Sequence, residues 1–247
     1  MSSGRFSITA IGNRRLALLG AAVLFAGALL ASSRPALAAI GCTLSNPAED
    51  LKYLYPEMTT YKEDLKEFSK VPDGEKLFAS LRDRLGSDLD PIYETAETPY
   101  TVYSVFKGET KIGIVHGVNV PGKGGVIQVF LSMDPGTAAI RKFFFQRLES
   151  PAADALRSKD FRGQFEGLTL ADLYKHDYYA ATRSGAVSDR VAKIKPPALD
   201  PSARPDYDAS IRGVRKNLVL LDFFVYGRRF EPFYEKARAA LAKKGAK

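Results

Sequence analysis

The chain has 247 residues, 36 Lys and Arg against 28 Asp and Glu, a formal net charge of +8 and a single cysteine. Four of those basic residues and none of the acids lie in the first 38 positions, so residues 39–247 carry only +4, too little to argue for nucleic acid. One cysteine excludes an intrachain disulfide.

The amino-terminal stretch reads as an export signal. Arg5, Arg14 and Arg15 form a basic region, Leu16 to Ala31 is apolar, and Ala36-Leu37-Ala38 supplies a small-x-small cleavage pattern. Residues 1–38 are therefore expected to be removed, leaving a periplasmic protein. Asn13-Arg14-Arg15-Leu16 is a partial twin-arginine pattern, which leaves the export route open. Ile40-Gly41-Cys42 offers a second ending, a lipoprotein anchored through Cys42.

Beyond the leader, Asn46-Pro47 with Glu49 and Asp50 predicts a helix to about Tyr55. Gly74 to Leu85 predicts a second, with Leu77, Phe78, Leu81 and Leu85 on one face, Arg82, Asp83 and Arg84 turned away, and Gly86 as its end. Residues 39–99 are thus read as a helical extension. The period then changes to that of strands: Tyr100 to Phe106, Lys111 to Val118, Val126 to Met133 and Ile140 to Leu148, separated by Gly- and Pro-containing turns. Four such strands make an antiparallel meander. Helical pattern resumes at Ala152 to Arg157 and Leu168 to Tyr174. Lys195 to Pro205 reads as an extended proline-rich connector. A long helix over Ser210 to Phe224 and a last one over Glu231 to Lys243 close the chain. The fold class is α+β, with an antiparallel sheet in residues 100–247 packed against helices.

The run from Gly125 through Asp134, the corner Glu149-Ser150-Pro151 and the closure Phe161-Arg162-Gly163-Gln164-Phe165-Glu166-Gly167 resemble the periplasmic FMN-binding domain of the covalent-flavin subunits of sodium-pumping NADH:quinone reductases and their Rnf relatives. The resemblance implies a bound FMN, electron transfer with an envelope redox protein or membrane complex as partner, and a flavin phosphate at the start of the helix near Ser210. Ser210-Ile211-Arg212-Gly213-Val214 matches the continuation of the family's attachment motif. Asp208 then stands where the acceptor threonine belongs, and it offers no hydroxyl for a phosphoester. The flavin is accordingly expected to be non-covalent, its phosphate near Ser210, Arg212 and Arg215 and its ring near Glu149, Ser150 and Pro151. The glycines that follow the corner in the family are Ala152 and Ala153 here. A cofactor-free binding or scaffold protein with the same sheet is the alternative. His116 and His176, 60 residues apart, give no metal-ligand spacing, and no heme, nucleophile-elbow or phosphate-loop motif is present.

Overall fold

The computed structural model describes residues 42–90, 94–175 and 194–245; the expected leader and the His176 region lie outside them. Helix α1 (Pro47–Leu54) starts as its sequence dictates. Proline fills an early position that needs no donor, and Asp50 Oδ2 accepts the Asn46 N–H at 3.2 Å. Strand β1 (Thr60–Lys66) follows, then α2 (Gly74–Leu85), which stops where Gly86 takes a φ of +58°.

The next four strands are β2 (Tyr100–Lys107), β3 (Thr110–Pro121), β4 (Val126–Met133) and β5 (Ile140–Arg147). With β1 they form one antiparallel sheet in the order β1-β2-β3-β4-β5. The sheet has five strands where the alternation predicted four. The reading of residues 39–99 as a helical extension is corrected accordingly, because β1 pairs along β2 from Thr60↔Phe106 to Lys66↔Tyr100. Its sequence hid it: Lys62, Glu63, Asp64 and Lys66 leave no apolar alternation, as suits a charged edge that discourages further pairing.

Both faces of the sheet are covered at its centre, which explains why β4 reads as an almost continuous apolar run. On one face Val102, Ile114, Val118, Val129, Leu131, Phe143 and Phe145 enter the main core. On the other, Tyr103, Val105, Val115 and Phe130 pack with Cys42, Leu44, Leu51, Leu54 and Tyr55. Burial pushes the Cys42 thiol up to about 12, so it is a protonated apolar filler at neutral pH. After β5 come α3 (Ala153–Arg157), α4 (Lys159–Gly163) and α5 (Leu170–Lys175), then α6 (Arg204–Phe224) and α7 (Glu231–Gly245).

Helix α6 crosses the main-core face of β3 and β4. It comes close because Gly213 has no side chain: a Cβ there would lie 2.7 Å from Val129 Cγ2. Asn217 then reaches into the sheet. Its Nδ2 donates to the carbonyls of His116 (2.9 Å) and Val129 (3.2 Å), and its Oδ1 faces His116 Nδ1 at 2.7 Å. Charges also run beneath α6. Arg84 meets Asp222 at 2.7 Å and Arg215 meets Asp88 at 2.5 Å, all four side chains fully buried, while Lys216 holds Glu94 at 2.6 Å. Arg84 therefore faces inward, against the outward orientation expected from the α2 pattern. Its long side chain passes Phe223 and Tyr234 to reach Asp222.

The turn between β4 and β5 is held by one carboxylate. Asp134 Oδ1 accepts the N–H groups of Gly136 (3.0 Å) and Thr137 (2.8 Å), and Oδ2 pairs with Arg141 at 2.8 Å. The Thr137 N–H, followed by Arg141, holds the carboxyl down at about 2. A carboxyl lowered in the fold stabilises fully above its unfolded value and loses that contribution as pH falls toward 2. Asp134→Asn is expected to lower stability by about 1 kcal/mol at neutral pH. Urea titrations of variant and parent should differ at pH 6 and converge as pH approaches 2.

Candidate functional site

The resemblance located the flavin at a corner of the fold, and part of that corner is assembled. The loop 122–125 between β3 and β4 touches both the β5 exit and the start of α6. Lys123 donates its N–H to Asp206 Oδ1 at 2.6 Å and its Nζ to the Ser202 carbonyl at 3.1 Å. A Cβ on Gly124 would lie 2.3 Å from the Glu149 carbonyl oxygen, so the close approach that glycine permits is used by the chain's own backbone. Glu149 is exposed and takes two hydrogen bonds from Arg147, at 3.0 and 2.7 Å. Ser150 Oγ accepts the Ala152 N–H at 3.1 Å beside Pro151, which closes a local turn.

The phosphate half is not assembled as expected. Helix α6 begins at Arg204 rather than near Ser210, because Pro205 belongs to its first turn and not to the connector. Ser210 is thereby six residues inside the helix, fully buried, its Oγ donating to the Asp206 carbonyl at 2.7 Å. Arg215 lies deeper still, bonded to Asp88 and to the carbonyls of Arg84 and Leu85. Arg212 sits 3.8 Å from Asp88, on the same side as Arg215. Asp208 pairs with Arg204 at 3.1 Å. Glu149, Ser150 and Pro151 are thus gathered near the helix start, while Ser210, Arg212 and Arg215 belong to the interior and to the α2 end.

The true first turn of α6 is acidic. Asp206 is completely buried there, its Oδ1 taken by the Lys123 N–H and its Oδ2 without a hydrogen-bond partner. Asp200 caps the short turn before it by accepting the Ser202 N–H at 2.7 Å, and Asp208 follows one residue after Tyr207. A helix N-terminus attracts a phosphate through free N–H groups and its positive dipole end. Here carboxylates occupy that field, and an unpartnered carboxylate oxygen repels a dianion. The residues present do not fit a flavin phosphate at this position.

A different opening was not visible in the sequence. Between α1, β5 and α4 lies a cleft of about 530 Å³. Tyr53 and Asp50 come from α1, Lys142 and Phe144 from β5, and Lys159 and Arg162 from α4. Tyr53 is 82% exposed. Among the described residues Lys142, Lys159 and Arg162 form no ion pair, and Arg162 donates its Nε to the Arg157 carbonyl at 2.7 Å. Segments almost a hundred residues apart in sequence make this cleft. Its only local trace is the lysine set before three consecutive phenylalanines.

Among the described residues no group of three or more His, Cys, Asp or Glu could hold a metal ion. Among them, too, no helix is long and apolar enough to cross a membrane. No protein-family model matches the chain, and no curated protein does. The crystal structure of NqrC from Shewanella oneidensis is similar to 80% of this chain and 90% of its own, at 16% identity and a TM-score of 0.41. That similarity assigns no residue a role.

Proposed function

We propose that residues 39–247 act as a cofactor-free binding module of the cell envelope, exported by the 1–38 leader. The module keeps a flavin-domain-like sheet and presents its surface to an envelope protein. One observation carries this reading: Asp206, buried in the first turn of α6, holds the Lys123 N–H where a flavin phosphate needs an open positive end. Release into the periplasm after Ala38 is favoured over anchoring at Cys42, because the Cys42 side chain contributes to the core beneath the sheet.

The second reading is a non-covalent FMN electron carrier serving an envelope redox partner. It draws on the resemblance and on the way two of its segments meet: Gly167 donates its N–H to the Ile140 carbonyl at 2.8 Å, closing the Phe161–Gly167 motif onto β5. The two readings separate on colour. Protein purified from the periplasm is expected to be colourless, with no flavin in the supernatant after denaturation. A yellow protein that releases FMN on denaturation would establish the electron carrier instead.

A further inference from the structure

Helix α7 (Glu231–Gly245) rests on the body by one side only. Among its residues with described side chains, Tyr234 alone is buried, its hydroxyl bonded to Asp83. Arg238 reaches the same Asp83 at 3.5 Å. Beyond it Ala239, Ala240, Ala242 and Lys243 are exposed. An α-helix advances by about 100° per residue, so Phe233, Lys236, Ala240 and Lys243 share about a quarter of the circumference, turned away from Tyr234. All four are exposed, Phe233 by 39%. No acid lies on that arc. Glu231 and Glu235 fall on the flank, and Glu231 is held by Arg228 at 3.6 Å. After Glu235 the chain carries Lys236, Arg238, Lys243, Lys244 and Lys247 and no Asp or Glu. Cations in a last turn complement the helix dipole, but that effect fades within a turn. Lys236 stands in the second turn of α7, where the dipole gives no reason for it.

We propose that this arc of α7 lies against the anionic phospholipid surface of the envelope membrane, as a reversible and salt-sensitive contact. Two features select lipid over the groove of a partner protein. A helix seated in a groove presents a row of large apolar anchors at i, i+3 or i+4 and i+7. Here the row 233, 236, 240, 243 reads Phe, Lys, Ala, Lys, a single anchor among cations. An interfacial helix needs that second pattern, lysines at the headgroups and an aromatic ring entering the layer beneath them. Lysine is also suited to the task, a compact charge on a flexible stem that follows mobile phosphates without a built pocket. Each cation adds little near such a surface and acts only within a Debye length, which keeps the contact peripheral. The envelope location rests on the export reading, whereas the affinity for lipid is independent of whether flavin binds.

The mature protein is sedimented with vesicles of equal parts phosphatidylglycerol and phosphatidylcholine, and with phosphatidylcholine alone. Partitioning is expected to be at least about tenfold higher on the anionic vesicles, and to fall about tenfold as ionic strength rises from about 0.03 M to about 0.3 M. Lys236→Glu/Lys243→Glu, checked for native circular dichroism, should weaken it by about tenfold. The same charge change at exposed positions elsewhere, Lys107→Glu/Lys195→Glu, should leave it within about twofold. The chain has no tryptophan, so Phe233→Trp introduces a single indole on the arc. Its emission is expected to shift to the blue on anionic vesicles and to stay put on neutral ones, which carries the test even if the glutamate variant unfolds. Equal partitioning onto neutral vesicles, equal weakening by the two double variants, or an unmoved emission overturns the proposal. So does a failure to sediment with either vesicle, which would leave an acidic protein surface as the partner of α7.

Discussion

Replacing Asp222 with alanine is expected to cost about 4 kcal/mol of stability, the scale for leaving a buried charge without its partner. Asp222 Oδ2 meets Arg84 at 2.7 Å, and its Oδ1 accepts the Phe230 N–H at 3.2 Å. One carboxylate therefore ties α2, α6 and the entry to α7 together. Burial raises the Asp222 pKa, and Arg84 opposes that shift. Replacing a buried ion pair by apolar residues of similar volume is often neutral, because both charges lose the desolvation penalty together. Converting both residues to leucine should recover most of what the single alanine loses. Urea denaturation of parent, single and double variants gives the comparison. A cost below about 1 kcal/mol for Asp222→Ala would mean the charge is hydrated after all.

Stability is also expected to fall by about 3 kcal/mol between pH 6.5 and pH 4 on account of His116. Burial is the main cause of its low pKa, about 4 against 6.5; the Asn217 hydrogen bond pulls upward and the Lys216 charge pushes further down. The folded chain keeps this imidazole neutral while the unfolded chain takes up a proton. The contribution is thus complete above 6.5 and is lost progressively as pH drops toward 4. Asp88 and Asp222, whose pKa values burial raises, bind protons in the fold at the acid end and oppose the loss there. The clean measure is therefore a difference from His116→Gln, whose stability should vary less over the same range. Parallel curves for parent and variant would show that His116 is protonated in the fold.

Much of the architecture was legible where local chemistry and tertiary packing agree. α2 begins and ends at the predicted residues because an apolar stripe and a terminal glycine both mark it. β4 matches its predicted span because Gly125 and the Asp134-Pro135 turn bound a β-branched run. The misses have physical reasons. β1 is held by its neighbour β2 rather than by an apolar face of its own, so its charges masked it. Pro205 looked like part of a connector because three prolines precede it, yet proline also suits a first helical turn. That one misreading moved the helix start by six residues and placed Ser210 and Arg215 at a ligand site they do not face. Arg84 and Arg215 carried no sequence sign of burial, since their partners are supplied from distant segments. The β5 cleft was hidden for the same reason.

Calorimetric titration of FMN into the mature, periplasm-purified protein tests the central claim most directly. With Asp206 filling the first turn of α6, FMN is expected to produce no heat beyond dilution. Saturable binding at one FMN per chain, abolished by truncation of the loop around Lys123 in a variant with native circular dichroism, would contradict the account and make this corner a flavin site.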